Sequence, residues 1–460
     1  MFLCIRKMRL NTDSGSELGA TCRKRQWLPG FLLAWFALVG ALGFFYNLSN
    51  AISYLNSWTI GDWLISYAGG FVRRGLPGQV LYILAKVAHV SPIYIIWIWC
   101  CIAFVLLAVL LYRLAGSQLD PVLLASPFCL LMPLLGDYFF RKDVTIALLY
   151  GLCLLIFLNS ARSSQPHHQF WCIVGVNCVG ILAVLSHESF LFFGLPSLLW
   201  IAPHCLKAHP GSILIGLPFW ARGFIYLFPI IIASIAVLVF KGSGQHALLI
   251  HQAWVQIAGL FANQSGLNTS RPPDGAINAL GWSLSQQPSF VAKQLMMPIS
   301  YAFGQMPALK PAIPAVLPWL ITLYAVVLLF CAGGRAASRD LRIRVVMLQI
   351  CCVAPLFLVG VDFGRWIFLL TTSSVLLYGF LVNSNCSNGA QDHCLSWPPF
   401  VYAKALIPLR FRLGIFSRLA LLFLGIPACC WSIRGFGLAT PIGYPYKFFV
   451  ICLLKGNCAG

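Results

Sequence analysis

Charge is scarce in this 460-residue chain: Asp, Glu, Lys and Arg make up 9% of it, and only 11 residues are acidic. With 60% of residues hydrophobic and a mean hydropathy of +0.84, that scarcity excludes an ordinary soluble domain. No C-x-x-C spacing occurs among the 18 cysteines, most of which lie inside apolar runs. Buried thiols are therefore expected in place of a zinc site or a disulfide framework. Cys386 and Cys394, beside Asp392 and His393, form the one polar cluster, and their spacing matches no common structural zinc pattern. The motif G-x-x-x-x-G-K-[ST] is also absent, which argues against ATP-driven work by this polypeptide. The 31 Lys and Arg give a net charge of +20, yet they sit in short loops between apolar runs. They build no basic domain or tail, so nucleic acid is not expected as a partner.

Apolar runs are what the chain has in abundance. A bilayer core of about 30 Å takes roughly 20 apolar residues per helix. Runs near 28–48, 92–112, 119–136, 144–159, 170–186, 189–203, 213–240, 312–332, 343–361, 366–382 and 416–433 predict an all-α, polytopic transmembrane helical bundle of about 11 spans, with a range of 10–12. The short apolar segment Tyr444 to Leu454 is either interfacial or a twelfth pass. The leading residues hold Arg6, Lys7, Arg9, Arg23, Lys24 and Arg25, which places the N-terminus in the cytoplasm. Alternation then puts the loop with Arg335, Arg339, Arg342 and Arg344 inside, and likewise the loop with Lys404, Arg410, Arg412 and Arg418. The expectation is a multi-pass plasma (inner) membrane protein. Its parts are a basic cytoplasmic N-terminus at 1–27, a transmembrane core at 28–382, a cytoplasmic loop at 383–415, and a last span and tail at 416–460.

This topology sends Asp62, Asp137, Asp143, Glu188, Asp274 and Asp362 to the outer face, which is six of the 11 acids. An ionisable group forced below the membrane surface costs about 2.5 to 3.5 kcal/mol even on the lenient insertion scale, so these acids are functional candidates. Cations stand beside them: Arg73 and Arg74 after Asp62, Arg141 and Lys142 between Asp137 and Asp143, and Arg365 after Asp362. The positive-inside rule disfavours all five at this face. Two arrangements fit: each base neutralises its sequence neighbour, or the bases form one anion site in which arginine forks bind phosphate oxygens. The glycines and proline of GGFVRRGLPG, residues 69–78, allow tight turns around two arginines. From Leu76 to Val90 the pattern reads as a surface helix. His187 and Glu188 meet at a junction of two apolar runs, where Glu188 either caps the next helix or joins His187 in a proton-transfer unit. The long outer segment at 241–311 adds His246, His251, Gln252, Trp254, Trp282, Gln286 and Gln287, a set that suits sugar contact or an interfacial aromatic belt equally.

The patches GGFVRRGLPG, FRKD, SHESF and DFGRWI, in that order across residues 61 to 367, resemble bacterial polytopic proteins of surface polysaccharide assembly. The architecture also resembles the GT-C class of membrane glycosyltransferases. That resemblance implies an acid near the reacting centre in the first outer loop, surface helices after it, and a polyprenyl-phosphate sugar as donor. Asp62 occupies the matching place, alone where many members of the class carry paired acids.

The expected reaction is glycosyl transfer at the outer face. Asp62 would take the proton of an acceptor hydroxyl, while Arg73, Arg74, Arg141, Lys142 and Arg365 hold the lipid phosphate. Asp137, Asp143, His187, Glu188 and Asp362 would support them. The partners are membrane lipid, a polyprenyl-linked sugar donor and a glycan or lipid acceptor, with no cofactor and no metal called for. A polymerase of lipid-linked repeat units is one rival, and a transporter or flippase of an anionic or lipid-linked substrate is another. The latter predicts polar residues on both sides of the midplane and repeated halves.

Overall fold

The computed structural model describes residues 27–53, 58–115, 121–135, 139–163, 165–206, 216–258, 260, 275–282, 316–332, 339–360, 362–384, 418, 419 and 422. Among these, every regular element is helical. In chain order they are α1 (Trp27–Ser53), α2 (Ile60–Trp63), α3 (Gly75–Ala88), α4 (Pro92–Ala115), α5 (Pro121–Leu124), α6 (Asp143–Arg162), α7 (Pro166–Ser186), α8 (Phe190–Phe193) and α9 (Leu195–Cys205). There follow α10 (Phe219–Tyr226), α11 (Phe228–Val239), α12 (Gly244–Ala258), α13 (Gly275–Asn278), α14 (Val316–Ala332), α15 (Arg339–Val359) and α16 (Phe363–Asn383). Five described helices are long and apolar enough to cross a membrane: α4, α6, α7, α15 and α16.

Departures from the expected spans have local causes. The stretch 119–136 is not one α-helix. After α5 it winds through i to i+3 bonds, Cys129 to Ser126, Met132 to Cys129 and Leu135 to Met132, and ends in a 3-10 turn at Met132–Leu134. Pro127 and Pro133 lack the N–H that an α-helix needs. The tighter winding rises about 2 Å per residue, and irregular backbone is tolerated at membrane depth where protein surrounds it. Residues 122–135 are almost all buried. The stretch near 189–203 breaks at Gly194 ahead of Pro196, and 213–240 bends by 72° between α10 and α11, where Pro229 opens the second half. Of the predicted span at 416–433 only residues 418, 419 and 422 are described, and the segment 444–454 and the loop with Cys386 and Cys394 lie outside the described residues.

At the centre stands α16, whose residues from Phe363 to Leu381 are all buried. It packs on α4, α6 and α15, and α6 packs in turn on α4 and α7. Close approach of α16 to α4 depends on Gly379, where a Cβ would lie 2.6 Å from the Leu114 carbonyl oxygen. There α4, α6 and α16 end together: Asn383 donates to the Leu114 carbonyl, and Arg162 Nη2 donates to the Asn383 carbonyl at 3.4 Å. Arg113 and Arg342 belong to the same end, Arg342 reaching Tyr378 Oη at 3.4 Å.

A second apolar core lies at the opposite end, built from Trp63, Ile65, Val72, Leu81, Ile250, Trp254 and Leu280. It joins α2, α3 and α12, and Trp254 Nε1 donates to the Leu64 carbonyl at 2.7 Å. Trp254 is fully buried, so it is a core residue and not a sugar platform. On α3, Gly78 sits so close to the Ile65 and Trp63 carbonyls that no Cβ fits, whereas Gly30 on α1 has open space around it. Gly78→Ala is therefore expected to cost about 1–3 kcal/mol through overpacking. Gly30→Ala is expected to be neutral or slightly stabilising. Thermal unfolding in detergent checks both, and equal melting temperatures for the two variants would contradict the packing.

Candidate functional site

The arginine loop is fixed from three sides. Val72 is fully buried, the Arg73 N–H donates to the Phe240 carbonyl at 3.1 Å, and the Tyr67 N–H donates to Gln79 Oε1 at 3.1 Å. Arg74 heads α3 in the left-handed region at φ 63°, which a side chain-bearing residue adopts at a cost of about 1–2 kcal/mol. Its carbonyl oxygen accepts from Lys142 Nζ at 3.2 Å. Gly75 follows directly, and a Cβ there would enter the Tyr67 ring. This turn throws both guanidiniums toward the ends of α6, α7 and α16.

There the charges interlock. Arg74 places Nε 2.6 Å from Glu188 Oε2, pairs Nη2 with Glu188 Oε1, and sends Nη1 to Asp62 Oδ1 at 3.1 Å. Arg73 Nη1 reaches the same Glu188 at 3.4 Å and its Nη2 the Ala279 carbonyl at 3.5 Å. Lys142 Nζ lies 3.7 Å from Asp62 Oδ2, an oxygen that accepts no hydrogen bond among the described residues, and stands over the Trp63 ring at 5.6 Å. Arg365 forms a two-bond fork with Asp143, at 2.7 and 3.0 Å, and turns Nη1 to Asp362 at 2.6 Å. His187 bridges the halves: Nε2 is 3.2 Å from Arg365 Nη2, and Nδ1 is 3.7 Å from Glu188 Oε2 while accepting from the Ser189 N–H at 3.1 Å.

Burial and charge set the protonation states. Burial alone would raise Asp62, but Lys142 and Arg74 hold its carboxyl well below the usual range. Glu188 is likewise held well below its ordinary value, burial being outweighed by Arg74 and Arg73. Burial brings Lys142 down to about 8 despite Asp62. Burial and Arg74 push His187 well below 6.5, so the ring is neutral near pH 7.

The structure thus joins Asp62, Arg73, Arg74, Lys142, Asp143, His187, Glu188, Asp362 and Arg365 in one network. Asp143 pairs with Arg365, 222 residues away, while Lys142 turns to Asp62, so sequence neighbours are not the rule. Glu188 serves the arginines; α8, only four residues long, has Ser189 as its N-cap with no side-chain cap. Arg141 is buried and donates to the Trp58 carbonyl at 3.2 Å. Asp137, Asp274, Gln286 and Gln287 lie outside the described residues. His246 bonds Ser243 Oγ at 2.6 Å beside the Gly69–Gly70 turn. Trp63, whose Nε1 donates to the Phe140 carbonyl at 2.6 Å, and Ser189 were not singled out from sequence, and only the adjacency of each to Asp62 or Glu188 marks them. Among the described residues, no three His, Cys, Asp or Glu side chains converge to hold a metal.

Asp62, Glu188, His187 and Lys142 all have depressed values in the folded chain, so at each the unfolded chain binds more protons and stability rises with pH. The carboxylates lose their contribution as pH falls below about 4, His187 lowers stability as pH falls below 6.5, and Lys142 adds stability between about 8 and 10.5. The melting temperature should climb between about pH 5 and 7, and His187→Gln should flatten that climb; a flat wild-type curve would contradict the assignment. Compared with family models, curated proteins and solved structures, the chain matches none.

Proposed function

We propose that this protein is a membrane glycosyltransferase that takes a sugar from a polyprenyl-phosphate donor at the outer face of the plasma (inner) membrane, during assembly of a surface polysaccharide or glycoconjugate. The reading carries with it about 11 passes and a cytoplasmic N-terminus. The observation that carries it is the position of Asp62 and the arginine pair at the head of α3. On that helix Val80, Ile83, Leu84 and Val87 are exposed at i, i+3, i+4 and i+7, while Gly78, Leu81 and Ala85 face inward. One helix therefore offers a continuous apolar face leading away from a charged cluster, which suits a prenyl chain joined to a phosphate. The cluster also lies at the bundle end opposite Arg113, Arg162 and Arg342, the end that the charge bias makes outer.

In this mechanism Arg73, Arg74 and Lys142 receive the donor phosphate and stabilise the charge that grows on it as the sugar leaves. Asp62 accepts the proton of the attacking hydroxyl. At rest Asp62 is a poor base, because Lys142 and Arg74 hold it ionised. As the sugar leaves, the negative charge growing on the donor phosphate offsets the field of those cations and raises the basicity of Asp62, so the base strengthens as the reaction proceeds. Arg365 and Asp143, closed on each other, position the ends of α6 and α16.

A carrier of an anionic head group has one observation on its side. Within the bundle Tyr150 Oη, Ser197 Oγ, Gln349 and Ser373 Oγ form a polar layer, with separations of 2.8, 3.4 and 3.0 Å. These groups bond one another across α6, α9, α15 and α16, which favours an interlock over a path. In proteoliposomes given a polyprenyl-phosphate sugar and an acceptor, Asp62→Asn is expected to lower transfer by about 10²- to 10⁴-fold. Undiminished transfer at equal folded protein would sink the assignment, and lipid translocation without donor consumption would favour the carrier.

A further inference from the structure

Among the described residues, the four cations of the ion-pair network are matched by four carboxylates, so these pairs leave no surplus charge for a ligand. An anion must displace one of them. The pairs differ in how open they are. Side chains of the Arg365–Asp143 pair are 3% and 5% exposed, and Asp62 is 2% exposed. Glu188 is 15% exposed, with Arg73 at 12% and Arg74 at 22% beside it; Asp362 is more open at 24%, but the cation it meets, Arg365, is 3% exposed and held by Asp143.

We propose that Glu188 is a displaceable plug: its carboxylate occupies an anion subsite made by Arg73 and Arg74, and a phosphate head group enters by taking its place. This rests on the preceding reading of the site and adds how it is gated. Glu188 meets Arg74 through Nε and Nη2, the two-point contact that a guanidinium makes equally with carboxylate or phosphate oxygens. It stands on the short turn between α7 and α8, where a side-chain rotation disturbs no helix. When it swings out, Arg74 stays aimed, because Nη1 remains on Asp62 at 3.1 Å and the Arg74 carbonyl on Lys142 at 3.2 Å. Arg73 is only loosely engaged, with contacts of 3.4 and 3.5 Å and an Nε that makes no hydrogen bond among the described residues. A phosphodiester carries one negative charge, so exchanging it for the Glu188 carboxylate leaves the charge of the cluster unchanged. The deeper carboxylates, Asp62 and Asp143, keep the scaffold intact during the exchange.

A plug competes with its ligand, so removing its charge must strengthen binding, whereas loss of a ligand-binding or scaffold residue weakens it. The test measures binding of farnesyl phosphate, inorganic phosphate and farnesol to the purified full chain in detergent, for wild type, Glu188→Gln and Glu188→Asp. Glu188→Gln is expected to bind farnesyl phosphate about tenfold more tightly, and Glu188→Asp, which keeps the charge on a shorter arm, about threefold. A matching gain with inorganic phosphate assigns the subsite to the head group alone, and a gain confined to farnesyl phosphate assigns it to a lipid-borne one; both support the plug. Equal or weaker binding by a variant that melts within a few degrees of wild type overturns it. If Glu188→Gln does not fold, the sign for Glu188→Asp decides. Should wild type and variants all fail to bind farnesyl phosphate, the phosphate-site reading falls and the plug with it; wild-type binding without a gain in the variants removes the plug alone.

Discussion

Two guanidinium groups, closed by carboxylates from distant parts of the chain, hold one end of this helical bundle together. Arg365 ties the start of α16 to the start of α6 through Asp143, and Arg74 ties the loop before α3 to the turn after α7 through Glu188. Burying such charges is costly unless each is paired and hydrogen-bonded. The positions of four chain segments are therefore constrained together, down to the left-handed backbone of Arg74 and the glycine that follows it. The rest of the site inherits this constraint: Asp62 is ionised because Lys142 and Arg74 are held beside it, and His187 is neutral because cations and burial surround it.

The network has an inner and an outer half. Arg365, Asp143 and His187 are nearly sealed, as expected of a scaffold at a helix junction, while Arg73, Arg74 and Glu188 retain contact with the surroundings. The apolar face of α3 begins at the outer half. The charge and the apolar stripe thus share one short helix, the juxtaposition on which the proposed lipid-phosphate ligand rests.

Much of the helical framework was legible in the sequence, since long apolar runs at 92–112, 144–159, 170–186 and 366–382 correspond to α4, α6, α7 and α16. The broken stretches were less so. Pro127, Pro133, Pro196 and Pro229 sit inside apolar runs whose hydrophobicity outweighs them in a span reading, yet each removes a backbone donor and reshapes the path. The candidate residues stood out in the sequence because charge is rare among the apolar runs. Their partners did not, because sequence adjacency pairs Arg141 and Lys142 with Asp143, whereas the fold brings Arg365 to it from 222 residues away. Trp254 read as a surface aromatic because its role, filling the core beneath α2, depends on a contact 190 residues distant.

A double-mutant cycle on Arg365 and Asp143 tests the interlocking of the site most directly. Replacing Arg365 with Met alone strands Asp143, and replacing Asp143 with Leu alone leaves the buried Arg365 with Asp362 as its one carboxylate among the described residues; each is expected to cost up to about 3–5 kcal/mol. The double variant should recover much of that loss, giving a coupling of about 2 kcal/mol or more in thermal or chemical unfolding. Additivity of the two single effects within about 0.5 kcal/mol would contradict the account, because the charges would then not be holding the two helices to each other.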